Sequence, residues 1–453
     1  MRRRIGTSKL LLTTLVVLLF SLSAVQAQTL WNSDSAFKAG AAKSGRIWGY
    51  VFGDFYYKAH SDSLNRGGGN QYTGIPQGRN AFQFRRIYLG YDYNISNKFS
   101  TELLLAAEDN FPAFNPPSSS AASGDQLSNS KETFFIKLAN IRWKNIWKGT
   151  DLVVGEQFTP SFAMLTEKIW NYRSIERTIS DIRRTPSYDM GAGLQGTFDP
   201  KTKNFGYNLL VATGNSDKPA ANSFKWFYGD VYAFLANKKI IIDLYADYQR
   251  LNWQPTWHHD RQMLKGFIAY NTSPITIGVE AYVNNIRNDT KGLMYSGQGP
   301  ADTIGTKARG ISFYIHGDII KEKLRFFARC DLYNPNKNIG ANSQDSSYAA
   351  LSSPSGYNTG SYKITQNNTG AVASATSLGD ITSKETFFTV GLDYMPFPNV
   401  HFEPNIWYNH YNSQLTTVPG MMAGANNANH DMVWRLTFFY VFGKIYKNSY
   451  NQL

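Results

Sequence analysis

The stretch Lys239–Arg250 reads KIIIDLYADYQR and changes character at every second position. One alternating set of side chains is apolar and consists of Ile240, Ile242, Leu244, Ala246 and Tyr248. The other set mixes acidic, polar and apolar groups and consists of Ile241, Asp243, Tyr245, Asp247 and Gln249. Successive side chains of a β-strand point to opposite faces, so this alternation predicts a strand with two unlike faces.

The same alternation recurs before and after this segment, in stretches that break at Gly, Asn, Pro or Asp. We predict sixteen strands, at 45–58, 80–94, 98–109, 132–143, 151–157, 187–198, 204–213, 223–236, 239–252, 261–271, 274–285, 307–318, 322–334, 384–395, 399–411 and 431–443.

The connections between these strands alternate in length. Seven are short turns, at 96–97, 144–150, 199–203, 237–238, 272–273, 319–321 and 396–398. Eight are longer, at 59–79, 110–131, 158–186, 214–222, 253–260, 286–306, 335–383 and 412–430. A soluble sandwich has no reason to sort its loops by end, whereas an outer-membrane barrel has short periplasmic turns and long external loops. We therefore predict an all-β fold: a transmembrane antiparallel β-barrel of about sixteen strands.

The composition excludes several other classes of protein. Aromatic residues make up 15% of the 453 residues and charged residues only 17%, whereas a typical soluble domain is about 25% charged. The single cysteine, Cys330, excludes an intramolecular disulfide framework and a cysteine-rich zinc site. Beyond the N-terminal segment, no run of about 18 apolar residues predicts a transmembrane helix.

The N-terminus has the three parts of a secretory signal. Arg2, Arg3 and Arg4 are basic, residues 10–22 are apolar, and Val25 and Ala27 fit the cleavage positions. We expect residues 1–27 to be a signal peptide, 28–44 a short periplasmic segment, and 45–453 a single barrel domain. The expected location is the bacterial outer membrane, with its lipids as partners.

The connection 158–186 differs from the other long ones because it has few helix breakers. Its apolar residues recur with helical spacing at Leu165, Ile169, Tyr172, Ile175, Ile179 and Ile182. Because so apolar a loop is poorly suited to water, we expect it to fold into the barrel and constrict a pore. Its cations are Lys168, Arg173, Arg177, Arg183 and Arg184, and charged rings decide what passes a pore.

Two alternatives concern these charges. The loop could instead be an outward helix whose arginines pair with Glu167, Glu176 and Asp181. Alternation also places a second set of cations, Lys137, Arg325, Arg329 and Arg435, on the side of the strands away from lipid. We predict that this set lines the pore wall, although the same face carries acids, so many of these charges simply solvate the interior.

Several short stretches resemble the phosphate-selective porin O and P family. They are FRRIYLGYD (84–92), FSTEL (99–103), VVGEQFTPSF (153–162), IER (175–177) and YDMG (188–191). The resemblance covers about residues 45–200 and is only architectural afterwards. It implies a sixteen-stranded porin, a homotrimer, with the third external loop as eyelet. It also implies passive diffusion of small hydrophilic solutes with a preference for anions such as phosphate.

Other functions find less support in the sequence. A non-channel barrel that anchors or adheres stays open, and so does a barrel enzyme, although no catalytic motif occurs. The pair His258 and His259 beside Asp260 suggests a metal site, but we expect a loop there without metal, and we predict no cofactor. Nucleic-acid binding is disfavoured because the positive charge is spread along the chain instead of forming one footprint.

Overall fold

The computed structural model describes residues 44–62, 66–67, 70–108, 134–182, 185–215, 223–254, 257–292, 302–337, 357–359, 362–366, 372–373, 383–413 and 429–443. The expected signal peptide 1–27, nearly all of the segment 28–44 and the residues after Gly443 lie outside this set.

Sixteen long strands are present in the described residues. They are β1 (Ser44–His60), β2 (Asn80–Asn94), β3 (Phe99–Glu108), β4 (Phe135–Trp147), β5 (Thr150–Phe158), β6 (Tyr188–Thr197), β7 (Phe205–Ala212), β8 (Trp226–Leu235), β9 (Ile240–Gln254), β10 (Trp257–Asn271), β11 (Ile275–Gly292), β12 (Asp302–Ile320), β13 (Leu324–Asn334), β14 (Ser383–Phe397), β15 (Val400–Ser413) and β16 (His430–Gly443). All sixteen predicted strands are confirmed, with small shifts at their ends.

Each long strand pairs antiparallel with its neighbour in the sequence, and the last returns to the first. Strand β1 pairs with β16 from Trp48 opposite Gly443 to Lys58 opposite Val433, and with β2 on its other side. The sheet is therefore a closed antiparallel barrel of sixteen strands, as the loop pattern predicted. Closure leaves no long strand of the described residues with an unpaired edge.

The two faces of β9 show how the barrel is oriented. Asp243 is fully buried and Tyr245 is 3% exposed, whereas Leu244 between them is 57% exposed. The same pattern holds around the barrel, since its exposed outer face carries large apolar side chains such as Leu264, Ile268 and Trp434. A water-soluble protein buries such groups, so the outer surface is arranged for an apolar surrounding.

The seven predicted short turns are confirmed. In two of them, backbone of left-handed conformation reverses the chain at Asn237 (φ 56°) and Asn399 (φ 69°). The predicted long connection 253–260 is wrong, because β9 and β10 continue to Gln254 and Trp257 and leave only residues 255–256 between them. His258 and His259 therefore lie on β10, where a loop was predicted.

The long connection 335–383 contains three short strands that the sequence did not predict, Tyr357–Thr359, Tyr362–Gln366 and Val372–Ala373. The first pairs with the end of β11, at Thr290 and Lys291. Helix is limited in the described residues to α1 (Thr166–Trp170) and α2 (Ile179–Ile182), both between β5 and β6. Neither is long and apolar enough to cross a membrane.

Candidate functional site: a loop inside the barrel

The connection between β5 and β6 lies inside the barrel over its described residues, 159–182 and 185–187, which are called the inner loop below. It has two short helical turns, because α1 ends where Asn171 adopts a left-handed conformation (φ 60°) and donates its backbone N–H to the carbonyl of Glu167. The indole N–H of Trp170 then bonds the carbonyl of Glu176 at 2.8 Å. These local bonds fold the loop back on itself into a compact plug.

An apolar cluster fixes one side of the inner loop to the barrel wall. The loop contributes Leu165, Ile169, Trp170, Tyr172 and Ile175, and the inner faces of β8 to β13 contribute Tyr232, Phe234, Ile241, Phe267, Ala269, Tyr314 and Phe327. Every one of these side chains is at most 7% exposed. Their removal from water stabilises the loop in this position, because each buried large side chain contributes roughly 1.5–3 kcal/mol.

Cationic side chains of the wall hold the backbone of the same loop. Arg85 donates to the carbonyl of Ser174 at 2.7 Å, Arg435 to that of Ile175 at 3.0 Å, and Arg329 to that of Arg177 at 2.5 Å. These three arginines lie on β2, β16 and β13. A buried carbonyl needs a donor, so strands from several parts of the barrel satisfy a segment that has little secondary structure of its own.

Acidic groups of the loop and the wall complete this attachment. The carboxylate of Glu176 accepts hydrogen bonds from the indole of Trp407 at 2.7 Å and from the side chain of Gln71 at 3.0 Å. Ser180 donates to the carboxylate of Glu280 at 2.5 Å. Hydrogen bonds to buried charged groups are the stronger kind, worth about 1.5–3 kcal/mol each, so these contacts add directional restraints to the apolar packing.

The predicted loop cations have different surroundings. Arg173 is buried and contacts the carboxylates of Glu167 and, at 2.9 Å, Asp181. Arg177 is 22% exposed and lies 4.0 Å from both Glu176 and Asp181, and Lys168 is partly exposed. Arg183 and Arg184 lie outside the described residues. The loop arginines therefore lie beside Glu167, Glu176 and Asp181, the partners that the outward-helix alternative named, although the loop is inside the barrel.

The predicted wall cations are also paired. Lys137 contacts Glu108, Arg325 contacts Asp318 at 3.0 Å, Arg329 contacts Asp331 at 2.5 Å, and Arg435 donates to Asn405 at 2.6 Å. Arg329 and Arg435 also hold the inner loop. Alternation identified the face of the strand on which these side chains lie, but not that a loop backbone would be the partner of Arg329 and Arg435.

Inside the loop, burial shifts the acid–base behaviour of three groups. Burial raises the pKa of Tyr172 well above the ordinary phenol value, so its hydroxyl keeps its proton. Burial by itself lowers the pKa of Arg173, but Glu167 and other neighbouring groups raise it above its usual value. Burial raises the pKa of Glu167, and the guanidinium of Arg173 opposes that shift.

The connection between β1 and β2, called the first connection below, also enters the barrel over its described residues 61–62, 66–67 and 70–79, although the sequence suggested an external loop. Tyr72 is fully buried and Ile75 is 1% exposed. The hydroxyl of Tyr72 donates to Asp54 at 2.7 Å, and Asn70 donates to Glu385 at 2.9 Å. The apolar pair was the available signal in this otherwise polar, glycine-rich stretch.

Two clefts lie beside the inner loop. The aromatic cleft lies between the loop and the wall of β1 to β5. Trp48, Tyr50, Tyr88, Phe158, Lys137 and Arg173 are among its lining residues. The acidic cleft lies on another side of the loop and is lined by Glu176, Asp331 and Glu385 among others.

Comparisons with known proteins give a fold and no closer relationship. No protein-family model matches the chain, and no curated protein sequence matches it either. The resemblance to the phosphate-selective porin O and P family therefore stays a prediction.

The solved structures that share the architecture include the following two. The outer membrane channel DcaP of Acinetobacter baumannii aligns with a TM-score of 0.55 at 9% identity, over 90% of this chain and 99% of that one. OmpF of Salmonella typhi, solved in complex with daunomycin, aligns with a TM-score of 0.50 at 9% identity, also over 90% and 99%. Both are outer-membrane porins, and at these identities the likeness establishes the sixteen-strand porin fold alone.

Proposed function

We propose that this protein is an outer-membrane porin, a passive diffusion channel for small hydrophilic solutes. The observation that carries the proposal is a long connection held inside a closed barrel whose outer face is apolar. An apolar outer band fits lipid, and an inner loop that narrows the lumen fits a channel that selects by size and charge. The corresponding location is the outer membrane, with lipids as the surrounding partner.

The solute path in this proposal runs through the aromatic cleft. The inner loop is packed closely against β8 to β13, whereas the cleft separates it from Trp48, Tyr88 and Lys137 on the opposite wall. A path on this side would pass Arg173 and Lys137. Because the two connections fill much of the lumen, the channel should be narrow and its conductance small.

The finer proposals concern solute and assembly. Lys168, Arg173 and Arg177, with Arg183 and Arg184, would give the constriction an anion preference, and phosphate is the anion that the family resemblance suggests. Since Arg173 contacts Glu167 and Asp181, we expect this preference to be weak. A homotrimer is a further proposal from the same resemblance.

The decisive experiment is single-channel recording of the purified full chain in planar bilayers. We expect discrete conductance steps, and larger steps after residues 164–182 are replaced by a short Gly-Ser linker. Shortening of the connection 414–428 serves as the control and should leave the step size unchanged. A chain that inserts but never conducts would be an anchor or a barrel of another function, and the channel proposal would be abandoned.

A further inference from the structure

Three side chains with metal-binding atoms meet on the inner face of the barrel, on the two strands joined by the turn 398–399. Asp393 lies on β14, and His401 and Glu403 lie on β15. His401 and Glu403 are separated by one residue and so share a face. One ligand atom from each of the three lies within 4.8 Å of the other two, and all three side chains are 1% exposed.

The contacts of this cluster leave one oxygen atom unexplained. His401 Nδ1 and Asp393 Oδ1 are hydrogen-bonded at 2.7 Å. Ser174 of the inner loop bonds the Glu403 carboxylate. The second oxygen of that carboxylate, Oε2, is buried and has no hydrogen-bond donor among the described residues. A buried carboxylate oxygen without a partner is destabilising, so this atom points to a ligand that the protein side chains do not supply.

We propose that Asp393, His401 and Glu403 form a binding site for a divalent transition-metal ion, with Zn²⁺ as the best fit. One imidazole nitrogen and two carboxylate oxygens are a usual donor set for Zn²⁺, which binds them at about 2.0–2.2 Å. Ca²⁺ and Mg²⁺ prefer six or more oxygen donors, which three protein ligands including an imidazole do not provide. The charge of the ion would also offset the repulsion between the two carboxylates.

Tyr172 at the tip of the inner loop offers a fourth group. Its hydroxyl donates to Asp393 Oδ2 at 3.2 Å. Since Ser174 contacts Glu403, loop residues touch both carboxylates of the site. A bound ion would therefore hold this part of the inner loop against β14 and β15, and the position of the loop would depend on the metal. The site would bind a metal ion whether or not the barrel conducts.

Neighbouring cations limit the affinity. Arg85, Arg325 and Arg435 lie near the cluster, but each already has partners in the protein, namely Ser174, Asp318 and Asn405 among others. Their positive charge weakens binding of another cation.

Isothermal titration calorimetry with ZnCl₂ tests the site on the chelator-treated full chain in detergent. We expect the wild-type protein to bind one equivalent of Zn²⁺ at this site. Asp393→Asn, His401→Gln and Glu403→Gln should each lower the affinity for this Zn²⁺ ion at least about 100-fold. A residue that only hydrogen-bonds to a metal ligand usually changes the affinity by less than this.

Two control variants separate this site from other carboxylates and histidines. Glu385→Gln changes a buried carboxylate of the same strand, which accepts from Asn70 at 2.9 Å and Asn409 at 2.7 Å. His60→Ala removes a histidine whose ring stacks on His430 with a 3.8 Å centroid separation. Both control variants should still bind one equivalent of Zn²⁺. Heat-shifted gel migration should verify that every variant is folded.

Absence of zinc binding by the wild type, or equal binding by the wild type and the three site variants, would overturn the proposal. If the site variants do not fold, the wild type still decides. Electron paramagnetic resonance of Cu²⁺ bound to the His60→Ala protein should show coupling to one imidazole nitrogen. A spectrum without that coupling would assign the cluster to an internal charge network only.

Discussion

The indole nitrogen of Trp407 donates to Glu176 Oε2 at 2.7 Å, which joins β15 to the inner loop across 231 residues of sequence. Trp407 is 1% exposed and Glu176 is 2% exposed. Glu176 also accepts from Gln71 of the first connection. One buried carboxylate therefore joins the wall, the inner loop and the first connection. Its removal should loosen the attachment of the inner loop.

Replacement of Glu176 by Ala should release the inner loop while the barrel stays closed. Trp407 and Gln71 would lose their acceptor, and an unsatisfied buried donor is destabilising by about 1–3 kcal/mol. If the inner loop is less stable in its position by about one to two kcal/mol, the fraction of molecules with a detached loop rises about 5–30-fold. Trypsin cleavage after the loop arginines should accelerate accordingly. Glu322→Gln, on an exposed short turn, is the control, and equal cleavage of both variants would contradict the role of Glu176.

The apolar anchor can be tested separately with Ile169→Ala. Ile169 is 2% exposed within the cluster, and truncation of a buried Ile to Ala costs about 2–5 kcal/mol. Hydrogen exchange should increase in residues 165–175 and stay unchanged in β1 to β5. Leu264→Ala on the outer face, where the side chain is 59% exposed, should leave loop exchange unchanged. Unaltered exchange in the Ile169 variant would show that the polar contacts suffice.

Much of the fold could be predicted from the sequence because one local property, the alternation along each strand, also determines which side chains lie inside. Asp243 and Leu244 differ in burial as their positions predicted. The alternation of short and long connections then predicted a closed barrel, in which each strand pairs with the next strand in the sequence. The loop predicted at 253–260 was wrong because most of these largely polar residues extend β9 and β10.

The interior was less predictable because its contacts join distant parts of the chain. Arg329 bonds the carbonyl of Arg177 over 152 residues, and no local pattern shows that a wall arginine will meet a loop backbone. The cluster of Asp393, His401 and Glu403 had only a weak sequence signal, namely that His401 and Glu403 are two residues apart and so lie on the same face of one strand. Asp393 joins them only through the register of β14 with β15.

The apolar outer face should tolerate no charge at its centre. Leu264 points outward from β10 and is 59% exposed. An arginine on the lipid face of a barrel is destabilising by about 2–4 kcal/mol at the middle of the membrane. Leu264→Arg should therefore lower the free energy of unfolding from lipid vesicles by that amount in urea titrations, whereas Glu322→Arg on a short turn should not. A cost near zero would mean that lipid does not surround this face.

The sorted connections predict the orientation of the barrel, with the short turns on the periplasmic side. In a Cys330→Ser background, a cysteine at Lys201, on the turn between β6 and β7, should be shielded from an impermeant maleimide added to intact cells. A cysteine inserted in the connection 414–428 should react with the same reagent. Permeabilised cells provide the control, since both positions should then be labelled. Labelling of position 201 alone in intact cells would reverse the topology.

Charge selectivity gives the last test of the constriction. Arg177 keeps its place in the loop through its backbone carbonyl, which Arg329 holds, so its partly exposed side chain can be changed without loss of that bond. Removal of positive charge by Lys168→Glu with Arg177→Gln should shift the reversal potential in asymmetric salt towards cations, since a few charges in a narrow pore act through little screening water.

Lys201→Glu, on an exposed short turn, is the matched control for this double variant. Its charge should be screened beyond the Debye length, about 10 Å at 0.1 M salt, so the reversal potential should stay at the wild-type value. If the double variant also keeps that value while still conducting, the loop cations do not face the solute path. The selectivity would then have to come from wall groups beside the aromatic cleft, with Lys137 as the first to replace, because it lines the cleft opposite the inner loop.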